Sequence, residues 1–425
     1  MEKPMHGSPS VPYLPLDVLA KILAELPIKS LLRVRVVCKS WCSLVSSQQF
    51  VKKYSSKVTT SPSRLIMNPF GLVNDLTFCH LHDSIVVRER SIDLGIEKSN
   101  YCVMGSCDGL VCVKECSHGM IILWNPSTRG SKILPCISEV EEGKVRRWKY
   151  GFGHDCNSDD YKVVTLSDLK EKALNPKGFC SYITMMYSLR TDSWKRIGDS
   201  PIGYVFIDEC AAFVSGALHW VADRQLSDTR VIISLDLTTE TYIELPQPDY
   251  DSILAEVGAS RGCLCLLACD NDEYFDIWVM NEYGVRESWT KSIKLPFLWG
   301  DKNCLGCLKP LTWFTDEKGE IILSIAGNVA SYNANRNSVR YLSTQNDDYI
   351  CLPPGYVFYV ESLFSPNAYS RDNKIRRHLN INIVQEKIVV KDTYGATKTC
   401  FPLQIQNTDD SFSSIAKTGT VALPG

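Results

Sequence analysis

With 425 residues at 44% hydrophobic, 22% charged and 10% aromatic, the chain can bury a sizeable core and reads as soluble globular protein of about two or three domain-sized units. A formal net charge of -2 gives no whole-chain electrostatic reason to expect nucleic acid or an anionic membrane as the main ligand. Eighteen cysteines would suit secretion, but the opening residues hold no apolar signal stretch, no Asn-x-Ser/Thr acceptor occurs and no apolar run is long enough to span a bilayer, so free thiols and a cytoplasmic or nuclear home are expected.

After a flexible stretch at 1–11, residues 12–54 carry a helical period. Pro15 sits where a first turn tolerates proline, Asp17 favours a helix start, and Pro27 stops the segment, so helix one is expected over about 16–26. Ser30 is expected to cap a second helix carrying Leu31, Leu32, Val34, Val36 and Val37. Lys39, Ser40 and Trp41 open a third, with Leu44 and Val45. In helix one, apolar residues cover nearly the whole circumference and leave only Asp17, Lys21 and Glu25 polar, too apolar for a one-sided surface helix. Either a partner or the C-terminal body covers the excess, and periodicity leaves both open.

Leu14-Pro15, Ile22-Leu23, Leu26-Pro27, Leu31-Leu32-Arg33, Val36, Cys38-Lys39, Trp41 and Phe50 together resemble the F-box motif across almost its full length. That resemblance implies a three-helix module that packs on a Skp-type adaptor, and through it joins a cullin, a RING subunit and a ubiquitin-charged conjugating enzyme. It favours the partner as cover. Its implied adaptor-binding residues are Leu14, Pro15, Val18, Ile22, Leu23, Leu26, Pro27, Leu31, Leu32, Val36, Lys39 and Trp41. The excess of Lys21, Lys29, Arg33, Arg35, Lys39, Lys52, Lys53 and Lys57 over Asp17 and Glu25 would steer the head onto an acidic adaptor. A nucleic-acid helix is disfavoured, because the basic positions lack stacking aromatics and base-reading groups.

From residue 64 the period becomes alternating, with Trp, Tyr, Val and Ile enriched between turn residues. Gly109-Leu-Val-Cys-Val leads to Trp124-Asn-Pro, and Gly216-Ala-Leu-His-Trp leads to a Leu-Pro ending at Pro246. The plan recurs from Tyr161, Gly262 and Gly319, with turns near 125, 190, 238, 281 and 333, spaced roughly as propeller blades of about 40–50 residues. Residues 64–90 suggest a sixth blade. Gly105-Ser-Cys-Asp-Gly-Leu, Trp124-Asn-Pro, Gly151-Phe-Gly-His-Asp, Tyr161-Lys-Val-Val, Gly216-Ala-Leu-His-Trp and Tyr359-Val-Glu-Ser look like the F-box-associated domain of plant F-box proteins, including S-locus F-box and F-box/kelch-repeat proteins. The chain contains no Gly-Gly pair, so its blades are kelch-like rather than kelch.

The expected fold is therefore α+β and multidomain: a small N-terminal three-helix F-box, then an all-β, kelch-like propeller over 64–366, then a partly disordered extension at 367–425. The resemblance implies a non-catalytic, substrate-recognition subunit of a Skp-cullin-F-box ubiquitin ligase, with a scaffold or cofactor outside the ligase as the alternative. Its partners would be the adaptor and a target protein, with no cofactor, nucleic acid or membrane. Candidate target loops are 139–148, 170–178, 223–228, 249–253 and 298–304, with Arg146, Arg147 and Trp148 as a cationic and aromatic patch and Tyr250 between two aspartates.

Catalytic motifs are imitated rather than met. Gly105-Ser-Cys-Asp-Gly has a turn, not a helix, after its Ser, and Gly151-Phe-Gly lacks a third glycine, so turn glycines account for both better than a nucleophile or nucleotide site. Cys102, Cys107, Cys112, Cys116 and His118 crowd together, and Cys304 and Cys307 form a C-x-x-C, but no second pair follows at finger spacing. His80 and His82 are expected to face solvent, and His219 to be a packed core residue.

Overall fold

The computed structural model describes residues 15–47, 49–51, 54, 64–67, 76–82, 85–92, 101–115, 118–137, 145–169, 180–227, 229–248, 253–270, 274–296, 308–310, 313, 319–325, 328–341, 356–369, 388–391 and 397–400. Three short helices come first: α1 (Leu16–Leu23), α2 (Ile28–Val34) and α3 (Lys39–Val45). Pro15 and Pro27 each precede a helix, where a fixed φ is harmless and the carbonyl accepts the first helical bond, from Leu19 at 3.0 Å and from Leu31 at 3.1 Å. Helix one therefore ends at Leu23 rather than 26, and Ala24 to Leu26 form a tightened last turn before the proline. Ser30 is not a cap: Pro27 already starts α2, which leaves the serine inside it. Leu19, Leu23, Ile28, Leu31 and Val45 pack with Phe50, Val51 and Tyr54 into a core of their own.

Among the described residues, six antiparallel sheets make up the propeller that follows, five of four strands and one of five. Blade one runs over Tyr101–Cys107, Leu110–Glu115, Ile121–Asn125 and Gly130–Ile133. Blade two runs over Val145–Asp155, Asp160–Leu169, Ile183–Ser188 and Ser193–Asp199. Blade three spans Tyr204–Phe206 to Tyr242–Leu245, blade four Ile253–Ser260 to Trp289–Pro296, and blade five Leu308–Pro310 to Ser338–Tyr341. The closing blade joins the two ends of the domain: Tyr356–Tyr359 pairs antiparallel with Arg64–Met67, which leads outward to Leu76–His82 and Ile85–Ile92. The sixth blade expected from the sequence is present, with its innermost strand supplied from the far end of the domain, since Tyr359 pairs with Arg64 and Tyr356 with Met67.

Successive sheets pack face to face, so a central strand buries both of its faces. In blade one Val111 and Val113 look toward the closing blade and Tyr359, while Leu110 and Cys112 look toward Tyr150, Phe152 and Val163 of blade two. Further clusters join blades two and three, three and four, and four and five. Two-sided burial explains why these strands are apolar almost without interruption, since an alternating strand would put polar groups into one interface. Neighbouring blades are also hydrogen-bonded: Trp194 donates its indole N–H to the Pro135 carbonyl at 2.7 Å and Trp289 donates to that of Pro246 at 3.0 Å.

After the closing strand the chain continues as a strap across blades one and two. Asn125 is fully buried, and its amide nitrogen donates to the Ser362 carbonyl (3.0 Å), Ser362 Oγ (3.1 Å) and the Phe364 carbonyl (2.7 Å), while its Oδ1 accepts from the amides of Ser127 and Thr128. Gly109, at φ 80° in a two-residue hairpin with Asp108, leaves room for the strap: a Cβ there would lie 2.4 Å from that of Ser362. Asn367 and Tyr369 fasten the far end, to the Ser131 and Asp159 carbonyls at 2.9 and 3.2 Å. Leu363 points the other way and completes the helical core. Asp372–Gly425 is a separate unit in which Ile388–Lys391 pairs with Thr397–Cys400; the strand expected at 381–384 lies outside the described residues.

Replacing Asn125 by alanine orphans two strap carbonyls and two turn amides. At about 1–3 kcal/mol for each buried group left unpaired, Asn125→Ala is expected to lower the thermal unfolding midpoint by several degrees, and differential scanning calorimetry against wild type checks it.

Candidate functional site

Helix α1 has two apolar stripes. Leu19 and Leu23, one turn apart, face the head core, and Val18 and Ile22, also one turn apart, face outward beside Leu16. Ile22 is 51% exposed, and past the end of α2 Val36 and Val37 reach 58% and 64%. The core has its own cover, completed by Leu363, so this outer strip is surface that the described residues leave open. Lys21, Lys29, Arg33 and Lys39 are exposed on the same head.

Of the residues expected to bind an adaptor, Pro15, Val18, Ile22, Pro27, Val36 and Lys39 are exposed, and Leu26, Leu32 and Trp41 are half-buried against the core. Leu23 and Leu31 are sealed inside the head and are not part of the strip. Leu14 lies outside the described residues. The sequence reading omitted Leu16 and Val37 from the set; the helix boundary was the missing signal, because α2 ends at Val34 and leaves Val36 and Val37 beyond its packed face.

The propeller has two unlike ends. Hairpins between first and second strands, such as Asp108-Gly109, Ser215-Gly216 and Arg261-Gly262, lie at one end and are tight, as are those between third and fourth strands except in blade four, where residues 281–288 include a 3-10 turn at Arg286–Ser288. Connections between second and third strands, and those between blades, leave from the opposite end. Of the candidate target loops, 223–227 leaves from that opposite end, between the second and third strands of blade three; 139–144, 170–178, 249–252 with Tyr250, and 298–304 lie outside the described residues. The strap meets Gly109, so the head core touches the tight-turn end.

At the long-connection end, three segments of blades two and three are knitted together: Gln225 N–H donates to the Gly203 carbonyl (2.9 Å), Gly203 N–H to the Cys180 carbonyl (3.1 Å), and Cys180 N–H to Gln225 Oε1 (2.6 Å). This platform presents Ile202 and Leu226, 60% and 85% exposed. Arg146, Arg147 and Trp148 are not in a rim loop as expected; they belong to the first strand of blade two, where Arg147 pairs with Asp168 and Trp148 with Ser167. Trp148 is half-buried, with its ring 6.3 Å from that of Tyr150, whose hydroxyl accepts from Lys114 Nζ at 2.6 Å.

Comparison with known families matches residues 12–53 to the F-box domain and residues 64–366 to the F-box associated beta propeller domain. The chain belongs to the F-box proteins with this associated propeller. An F-box/kelch-repeat protein of Arabidopsis thaliana is 30% identical over 347 residues, 77% of this chain and 90% of the relative. The F-box protein CPR1 of the same plant is 30% identical over 331 residues, 72% of this chain and 78% of the relative. An F-box domain implies binding to a Skp-type adaptor. Among the described residues of this F-box protein, no helix is long and apolar enough to cross a membrane.

The motifs that imitate catalytic sites serve packing in the F-box protein's propeller. Gly151 and Gly153 lie within a strand, not a turn, and a Cβ would come within 2.5 Å of Leu218 and 2.3 Å of the Phe213 ring, so glycine lets blade three close on blade two. Burial alone would raise the Asp155 pKa, but bonds from Lys162, Ser158, Thr238 and the Asn157 amide outweigh it and hold the carboxyl far below its usual range. Lys162 also donates to the Leu237 carbonyl at 2.7 Å, tying blade two to blade three. Burial pushes the Cys107 and Cys112 thiols well above their usual pKa, the reverse of what a metal-binding thiolate needs.

His219 is fully buried between the Ala212 carbonyl, 3.1 Å from Nδ1, and the Tyr283 hydroxyl, 2.7 Å from Nε2. A carbonyl only accepts, so Nδ1 carries the proton and Nε2 accepts from Tyr283 in a neutral ring. Burial depresses the pKa to about 4, against a partial upward pull from the Ala212 bond. The unfolded chain thus binds the proton first, and stability falls as pH drops from about 6.5 toward 4, by up to about 1.4 kcal/mol per pH unit. Urea unfolding of wild type and His219→Gln across this range is expected to show the variant less stable at pH 7 but with a shallower acid slope.

Proposed function

We propose that this F-box protein is the substrate-recognition subunit of a Skp-cullin-F-box ubiquitin ligase, a non-catalytic adaptor that presents a target protein for ubiquitination and proteasomal degradation. The observation that carries the reading is the outer strip of Leu16, Val18, Ile22, Val36 and Val37, left open although the head core is already complete. A Skp-type adaptor covers this strip, and the surrounding lysines and arginines orient an acidic partner. Cullin and RING subunits join through the adaptor, with no need for a reactive side chain in this chain.

The target docks at the long-connection end, opposite the head. Ile202 and Leu226 supply its apolar anchor, and the hydrogen bonds among Cys180, Gly203 and Gln225 hold that anchor rigid before binding. Nearby charges are already paired, Arg224 with Glu244 and Arg230 with Asp223, which favours an uncharged target segment at this spot. Trp148 contributes an aromatic edge at the start of the first strand of blade two.

Val18→Asp with Ile22→Asp is the discriminating pair, because both residues lie outside the core; a substitution at Leu23 would unfold the head instead. Each is expected to cost about 2 kcal/mol of binding, roughly thirtyfold, so co-precipitation with a purified Skp-type adaptor is lost while the thermal midpoint is kept. Undiminished recovery sinks the assignment. Proteins that accumulate in cells with this variant are the candidate targets, and adding Ile202→Asp and Leu226→Asp is expected to release them from the purified complex. Retention of all of them would rule out this platform as the anchor.

A further inference from the structure

One segment of the molecule belongs to two cores at once. Leu363 is buried in the head with Leu19, Leu31 and Val45. Its neighbour Phe364 packs against that cluster and also against the core between blades one and two, its ring centroid 4.7 Å from that of Tyr161. Just upstream, Tyr359 is the last residue of the strand that closes the ring against Arg64. Between strand and head core stand only Val360, Glu361 and Ser362, and Ser362 is pinned by Asn125. At about 3.3–3.6 Å of reach per residue the link spans at most roughly 14 Å, so head core and closing strand are held close together.

We propose that this strap couples the two ends of the F-box protein's business energetically: occupancy of the head's outer strip tightens the closing blade, and a closed blade holds the head in its docking form. Both effects follow from one arrangement: Leu363 fills the head core while its two neighbours, Ser362 and Phe364, are bonded to Asn125. Whatever coupling free energy links head and ring acts equally in both directions, as linkage requires. The coupling of head to ring stands on the packing alone; its extension to a bound partner rests on the adaptor reading given above.

Hydrogen exchange on the full chain, read peptide by peptide, tests it. Asn125→Ala touches no head residue, yet is expected to speed exchange in Leu16–Leu23 and Ile28–Val34 roughly tenfold, through opening of the strap. Leu363→Ala is expected to act in the other direction, on Arg64–Met67 and Tyr356–Tyr359, whereas Leu363→Met is expected to leave both regions near wild type. Changes confined to the mutated side would overturn the coupling. Should either alanine variant fail to fold, wild type with purified Skp-type adaptor decides: slower exchange in the closing strands supports the proposal, and adaptor binding without it overturns it. Failure of the adaptor to bind at all refutes the adaptor reading, and with it the extension to a bound partner, while crosswise exchange in the variants still supports the head-to-ring coupling.

Discussion

The arrangement of this protein hangs on one buried amide. Asn125 ends the third strand of blade one, shapes the turn that follows through its oxygen, and grips the returning strap through its nitrogen. An isolated asparagine in so dry a place would be costly; here every polar atom is matched, and the match is what fixes the path of the chain. Remove it and the strap keeps only the packing of Leu363 and Phe364 and the bonds of Asn367 and Tyr369 at its far end.

Around that point the propeller repeats a simple physical solution. Each described hairpin between third and fourth strands of blades one, two, three and five ends in a residue with positive φ: Arg129 at 58°, Asp192 at 56°, Glu240 at 59° and Asn337 at 47°. Side-chain oxygens of Asn125, Asp236 and Asn333 satisfy turn amides in three of them. The mild strain of three residues without an amide side chain or glycine there is tolerated because strands buried on both faces hold each hairpin from behind.

Much of this was legible in the sequence. Gly109, Gly216 and Gly262 announce the hairpins that begin a central strand. Ring closure was not legible, because pairing Arg64–Met67 with Tyr356–Tyr359 depends on contacts between distant residues that no local period records. The docking strip was half legible: Asp17 and Lys21 form a narrow polar stripe opposite Leu19 and Leu23 and mark that pair as the buried one, but Val18 and Ile22, which turn outward, are just as apolar and carry no sign of exposure. Ser30 misled for a related reason, since a good capping side chain means little once proline has set the helix start.

The strap also fixes an order of events. Translation delivers the helical head before the propeller, yet Leu363 comes after the last strand of the ring. The innermost strand of the closing blade is delivered by the same stretch of chain. The head's core and the propeller's ring are therefore finished together, by the last part of the folded unit to leave the ribosome, and a prematurely terminated chain would have neither.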